Sequence, residues 1–478
     1  MKRNTVIALT SHIAVILAII IAFGVISIVS KDTNAEGSEK FTGELERNVT
    51  LHVLENNTAK EQGYLDELLD AFNEAYAKYG IKAVDANIDQ YNDLEQSGPY
   101  GYGPDVLYQA NDAVMKYVDG HHILPIPVEQ LDCYEYISDA AWSAYTTEIS
   151  GQTYTFGVPV NIQQPLLFYR DDLLPENWEE EWDDDKNGVP DMIEYWSDLY
   201  RYSMQVKTES GGEKYGYMQS LCDSYFSLGY LFTYGAYVFG GENGTDTYDI
   251  GIDNGDSYIG ARIIRQLASA MNMECTEFTV SDNRYSRMAS GTYFATMTTP
   301  DVYTMFITEM VKAGYTEEYA REHVKMVDVP KLPVSGDLTD ESQGFVDMTV
   351  MGGVNGYAIS SYTDYPNAAL AFVNFATSYE MIKTRCEMLG ISPARSDIVE
   401  ELGGLDETIS DNLNSGSIYV MPSVKATSQI WSPLETFFSL IAGDILENRN
   451  VYATDGALKQ GLSSVNQQVY DAIHTLAG

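Results

Sequence analysis

Basic residues are scarce: 28 Lys and Arg stand against 70 Asp and Glu in 478 residues, a formal net charge of -42. A surface of that sign repels phosphate backbones and anionic lipid heads, which sets nucleic acid aside as a partner. Cysteine is sparse too. Cys133, Cys222, Cys275 and Cys386 are too few and too widely spaced for a disulfide framework, and they read as buried small hydrophobes, with one or two bridges open to an exported chain. There are only six histidines, and no G-x-S-x-G, H-E-x-x-H or P-loop, so the short signatures of serine hydrolases, zinc peptidases and P-loop nucleotide hydrolysis are missing. Glycosidases need only two carboxylates, and among 70 acids such a pair has no distinguishing mark. A calcium-stabilised carbohydrate-active enzyme and a surface adhesin therefore both stay open. No internal repeat of fixed period is present, and no Pro-, Gly- or Ser-rich linker marks off an independent module.

What is present is a chain too long for one core, since single cores stop growing at roughly 250 to 300 residues. It opens with Lys2 and Arg3 before a near-continuous apolar run from Ile13 to Val29. That pattern is an export signal. Thr33-Asn34-Ala35 offers small residues for cleavage, while the preceding positive charges suit a retained anchor with everything after it outside. In either case the working part is extracellular. Residues 31–46, KDTNAEGSEKFTGELE, read as a polar tether. Folding begins with the alternating strand VTLHVLE at 49–55, followed by an apolar helical stripe of Leu65, Leu68, Leu69, Phe72, Tyr76 and Tyr79 that Gly80 ends. An apolar stretch from Ile81 to Val84 and the strand DVLYQ at 105–109 complete the pattern of an α/β lobe with a largely parallel sheet. A second α/β region follows Val158, with helices expected near Trp178, Trp182 and Trp196, over 260–273 and over 366–379. From Ser432 onward the chain reads as helices broken near 448–455.

Several stretches occur in a telling order: GPDVLYQAND at 103–112, YTFGVPVNIQQPLLFYRDDLLPENWEE at 154–180, CDSYFSLGYLFTYGAYVFGG at 222–241 and GTYFATMTTPDVY at 291–303. GGVNGYAISSYTDYPNAALAFVNFATS at 352–378, GISPARSD at 390–397 and MPSVKATSQIW at 421–431 follow. Together these resemble the extracellular solute-binding proteins of ABC importers, in particular the maltose-binding (family 1) group, over roughly residues 47–475. The resemblance implies a two-lobed α/β fold of the periplasmic-binding-protein type II, with a hinge and a ligand cleft between lobes. One lobe would be built from 47–160 and 347–400, the other from 161–346 and 401–478. It further implies a monomer that closes on a carbohydrate, such as a maltodextrin-like glycan, and presents it to ABC permease subunits.

The site residues carried over by that resemblance are few. Asp112 matches a carboxylate that accepts sugar hydroxyl hydrogens, and its position also suits a helix N-cap. Gln109 and Ala113 stand where relatives carry an aromatic and a basic residue, which departs from the maltodextrin pattern. Gln163 sits where relatives often carry an acid, and its amide can both donate and accept. Tyr225, two residues after Asp223, matches an aromatic that lies against a sugar face; Trp431 matches another; Tyr303 falls near a third, although Asp301 holds the more central place. Flat rings suit pyranoses because the sugar exposes apolar C–H faces while its hydroxyls point to polar side chains.

One stretch lies outside the resemblance: WDDDKNGVPDMIEYW at 182–196. Numbered from Asp183, oxygen-bearing side chains fall at the first, third, fifth and ninth places as Asp183, Asp185, Asn187 and Asp191. Gly188 takes the sixth, Val189 offers a carbonyl from the seventh, and Glu194 closes the twelfth. This satisfies D-x-[DN]-x-[DN]-G-x5-E, a spacing that wraps oxygen ligands round one Ca2+. Pro190 at the eighth place and the lack of a second copy point to a structural ion rather than a regulatory pair.

Overall fold

The computed structural model describes residues 37–89, 94–118, 120–241, 244–422 and 424–474. The apolar run at 13–29, and with it the choice between cleaved signal and anchor, lies outside the described residues, among which no helix is long and apolar enough to cross a membrane.

Eleven strands frame the cleft: β1 (Thr50–Leu54), β2 (Lys82–Asp85), β3 (Val106–Ala110), β4 (Val158–Gln163), β5 (Leu166–Arg170), β6 (Tyr215–Tyr217), β7 (Tyr293–Thr298), β8 (Val324–Val327), β9 (Val350–Ile359), β10 (Ser392–Pro393) and β11 (Ile418–Val420). They form two main sheets. The first runs β10-β4-β9-β3-β1-β2, with β11 also paired to β9; the second runs β8-β5-β7-β6. The first sheet is mixed rather than largely parallel. β1 pairs in parallel with β2 and β3, as the strand-helix-strand order demands, but the long β9 returns from the second region and runs antiparallel to both β3 and β4.

The chain passes between sheets three times. Gln164 and Pro165 alone separate β4 from β5; residues 328–349, with a small ribbon of Leu332–Pro333 and Phe345–Val346, join β8 to β9; residues 421–430 lead from β11 to the helix Trp431–Leu446. That helix and the next, Asp455–His474, belong with the second sheet's helices. Arg265 and Arg262 of helix Ser257–Ser269 pair with Asp444 and Asp455 at 3.2 Å each.

Helix Tyr64–Tyr76 ends as expected, with a further 3-10 turn to Tyr79 and Gly80 at φ 71°, where a side chain would be strained. Its Tyr64, Leu65, Leu68, Leu69 and Phe72 are buried, Phe72 against Phe372 of helix Pro366–Ala376. Beneath the first sheet lies a buried ion pair. Arg385 grips Glu55 with two hydrogen bonds of 2.7 and 3.1 Å, Tyr357 donates to the same carboxylate, and the guanidinium lies 4.0 Å from the Tyr108 ring centroid. The pair tolerates burial because both Glu55 oxygens are engaged and both terminal nitrogens of Arg385 donate, although Arg385 Nε has no partner. All four cysteines are buried free thiols.

The stretch read as a tether is described from residue 37, and from there it is docked rather than free. Phe41 and Leu45 pack on the core, and the Glu46 carboxylate accepts hydrogen bonds from the backbone N–H of Asn367 (3.2 Å) and Ala368 (2.6 Å).

Candidate ligand-binding cleft

The cleft is built where β3 and β4 end and β9 begins, facing the start of helix Ser224–Phe232 and the turn after β7. At the centre, β4 and β9 pair through a β-bulge: Asn161 lies opposite Asn355, but Pro159 lies opposite Gly356. Val160 is the extra residue. Pro159 has no N–H to give to the ladder, so a bulge is the place where a central strand tolerates it. Gly356 is needed there, because a Cβ would stand 2.3 Å from the Val158 carbonyl oxygen.

Two cavities of about 240 and 350 Å3 adjoin across a common wall of Ala110, Gln163 and Asn355. The first takes Gln109 and Asp301 into its lining; the second takes Asp112, Asp223 and Tyr225. Six of the eight expected ligand residues, Gln109, Asp112, Gln163, Asp223, Tyr225 and Asp301, are thus gathered from four separate stretches of chain. Tyr303 and Trp431 line neither cavity. Tyr303 begins helix Tyr303–Lys312 and donates its hydroxyl to the Arg321 carbonyl at 3.4 Å, and Trp431 begins its own helix, half-buried against the core.

Polar side chains not foreseen complete the walls. The Asn355 amide donates to Gln163 Oε1 at 3.0 Å, and Gln163 Nε2 donates to Asp301 at 3.4 Å, so one relay runs from the first sheet to the second region. Behind it, Tyr108 donates to the buried Asn161. Both asparagines carried a signal in the sequence, a carboxamide inside the apolar runs VPVNI and GGVNG. Asn111 is buried and holds the Val354 N–H (3.2 Å) to its side-chain oxygen, which ties the start of helix Asn111–Lys116 to β9. Asp112 lies within that helix's first turn, the N-cap being Ala110.

The electrostatics follow from burial. Asp223 is pushed up to about 6 because burial disfavours its charge, partly offset by the Arg284 guanidinium. Burial likewise raises Asp112, and it raises the Tyr225 phenol, to which Asp301 and Asp112 add. Among the described residues, no Lys, Arg or His lines either cavity. The walls offer carboxylate, carboxamide and phenol groups beside apolar Ile391, Phe226 and Met421: hydrogen-bonding capacity for hydroxyls and flat surface for C–H faces, with nothing to neutralise an anion.

In the acidic loop, carboxylate oxygens of Asp185, Asp191 and Glu194 converge within 4.8 Å of one another. Burial first, and the neighbouring carboxylates after it, hold Asp191 and Glu194 above the ordinary carboxyl range.

The family of bacterial extracellular solute-binding proteins matches residues 67–413, well over half of the chain. The protein belongs to that family. Among curated solute-binding proteins, the galactooligosaccharide-binding protein of Bacillus subtilis is 22% identical over 367 residues, 74% of this chain and 75% of that one. A maltooligosaccharide ABC transporter solute-binding lipoprotein of Streptococcus pneumoniae is 20% identical over 390 residues, 80% of this chain and 82% of its own. Of solved structures, a cyclo/maltodextrin-binding protein complexed with maltotetraose superimposes at a TM-score of 0.68, covering 91% of this chain and 99% of that one at 20% identity. The two-lobed, type II periplasmic-binding fold expected from the sequence is therefore the fold of this solute-binding protein.

Proposed function

We propose that this solute-binding protein captures a neutral oligosaccharide outside the cell, closes two lobes on it, and passes it chemically intact to the membrane subunits of an ABC permease. The two lobes exchange chain at the crossings 164–165, 328–349 and 421–430, so that residues 401–420, expected in the second lobe, go with the first, and the protein works as a monomer. One observation carries the reading: Gln163, on the shortest crossing between the sheets, joins Asn355 on one side to Asp301 on the other at the wall common to both cavities. A guest held there touches both halves, so it binds the closed arrangement more tightly than an open one, and only such a difference shifts the population. The lining also supports a sugar. Asp112, Asp223 and Asp301 accept hydroxyl hydrogens, the carboxamides of Gln109 and Gln163 both donate and accept, and Tyr225 offers a flat face. Relatives whose names specify galactooligosaccharide and maltooligosaccharide binding lend further support.

Isothermal calorimetry of residues 37–478 against graded maltooligosaccharides and galactooligosaccharides tests this. One series is expected to give a saturable heat with a Kd on the order of micromolar or tighter. Mass spectrometry should recover that glycan at its original length. Silence across both series removes the proposed ligand class, and shortened products would make the protein an enzyme.

A further inference from the structure

We infer that residues 183–194 bind one calcium ion through carboxylates of Asp183, Asp185, Asp191 and Glu194, the side-chain oxygen of Asn187 and the carbonyl of Val189, independently of whatever fills the cleft. The spacing alone is a pattern of acids in a chain rich in them. The structure adds two observations. The loop is folded as the pattern requires: Gly188 has φ 83°, Glu194 ends the one-turn helix Asp191–Glu194, and oxygens from the third, ninth and twelfth places come within 4.8 Å of one another. The second observation is independent of that geometry. Asp183 is only 7% exposed, one of its carboxylate oxygens accepts from Gly188 N–H at 3.1 Å inside the loop, and the other is buried with no hydrogen-bond partner. A buried carboxylate oxygen without a partner is costly unless a cation meets it.

The neighbouring side chains show how little positive charge the loop itself brings to these carboxylates. The Asn187 amide nitrogen donates to Asp185 at 3.2 Å and to both oxygens of Glu194 at 3.0 and 3.3 Å, so a single neutral dipole stands between two carboxylates. Lys186, the one basic residue within the loop, has φ 58° and is exposed, and it forms no ion pair with these acids. A half-turn of the Asn187 amide presents its oxygen instead, completing a set of hard oxygen ligands. A bidentate Glu at the twelfth place favours the larger coordination number of Ca2+ over the strict octahedron of Mg2+.

The ion would hold more than a surface loop. The Glu194 carbonyl accepts from Lys331 N–H at 2.8 Å, the Lys331 carbonyl accepts from Trp196 N–H at 3.0 Å, and Lys331 pairs with Asp347 at 3.1 Å. Val189 and Glu194 also border a cavity of about 420 Å3 together with Val327, Asp328 and Asp347. The loop is thus laced to the crossing between β8 and β9, and a bound ion braces that crossing.

The test uses protein stripped with EDTA and then dialysed. Equilibrium dialysis with 45Ca is expected to give one ion per chain, and 1 mM CaCl2 to raise Tm by about 3 °C or more, with 1 mM MgCl2 giving less than half of that. Terbium, which takes calcium sites and emits when a nearby Trp or Tyr is excited, should light up through Trp182 and Tyr195 and be displaced by calcium. Asp185 is exposed, so D185N is expected to keep its circular dichroism and glycan heat while losing the bound ion and the Tm rise; E194Q should behave alike. No bound calcium and no Tm change in the wild-type chain overturns the inference. Calcium retained in full by D185N overturns it too, because the ion then sits elsewhere.

Discussion

Asp223 shows how a single side chain in the cleft is set against the stability of the fold. Its carboxyl is pushed up to about 6 by burial, with Arg284 pulling the other way, whereas in the unfolded chain it sits near its ordinary value of about 3.9. The folded state therefore holds this proton more tightly than the unfolded state does. Between roughly pH 4 and pH 6 the protein loses stability as pH rises, and above that the cost is constant at up to about 3 kcal/mol. Asn keeps the shape and a hydrogen-bonding oxygen but carries no charge. Asp223→Asn is thus expected to match wild type in Tm near pH 4 and to exceed it progressively up to pH 6 to 7. It should also weaken glycan binding about tenfold at neutral pH, the scale of one lost hydrogen bond to a charged group. A Tm difference between the two proteins that does not change with pH would show that Asp223 titrates as an ordinary surface acid. A carboxylate buried at a cost to stability is the pattern expected of a binding residue rather than a packing one, the role proposed for Asp223.

At the scale of elements, helix Pro366–Ala376 starts without a cap of its own: Pro366 occupies its first turn and Tyr365, at the N-cap, gives no side-chain hydrogen bond. Glu46 supplies it from more than three hundred residues earlier. Its carboxylate takes the N–H groups of Asn367 and Ala368 and the Asn367 amide, while Asn367 Oδ1 accepts from Gly43 N–H at 2.9 Å. Charge at a helix N-terminus and three charge-assisted hydrogen bonds together make Glu46→Ala cost about 1–2 kcal/mol, read as a lower urea midpoint at unchanged slope. The same change should open residues 37–46 to limited proteolysis while leaving glycan affinity alone; equal protease resistance in both proteins would mean that Phe41 and Leu45 hold the segment by themselves. This cap also marks the limit of what the sequence discloses. The helices at 64–76 and 366–376 were legible because one apolar stripe recurs every three to four residues, a local property. Residues 31–46 read as a tether, and the docking of 37–46 stays hidden, because nothing local tells that Glu46 has a partner beyond residue 360. The antiparallel course of β9 and the bulge that sets Asn161 opposite Asn355 are likewise facts of long-range pairing. Within the cleft, Gln109, Asp112, Gln163, Asp223, Tyr225 and Asp301 were reached through motif resemblance. Tyr303 and Trp431 are expected by the same route, but each begins a helix and neither lines either cavity.

For the whole molecule, what matters is how firmly the two halves already touch. Beyond the Gln163–Asp301 contact, Gln62 Nε2 donates to Thr304 Oγ1 at 3.3 Å, tying the turn before helix Tyr64–Tyr76 to helix Tyr303–Lys312. Neither Gln62 nor Thr304 lines either cleft cavity, so this hydrogen bond acts on closure without acting on a guest held there. A contact made only when the halves meet stabilises the closed arrangement by about 0.5–1.5 kcal/mol. Removing it multiplies the open population relative to the closed one by roughly 2 to 12, and apparent affinity falls as the closed fraction falls. On the proposed mechanism the guest enters an open cleft and leaves only after opening, so the loss should fall on the dissociation rate. Gln62→Ala and Thr304→Ala are each expected to speed glycan release 2- to 10-fold in stopped-flow fluorescence, with little change in association. The double variant should be no worse than the more affected single variant, since both remove one bond. Release rates that multiply in the double variant would mean that the two side chains act separately. Unchanged rates in all three would mean that closure is governed by the cleft residues alone, with Gln163 and Asp301 as the next pair to cut.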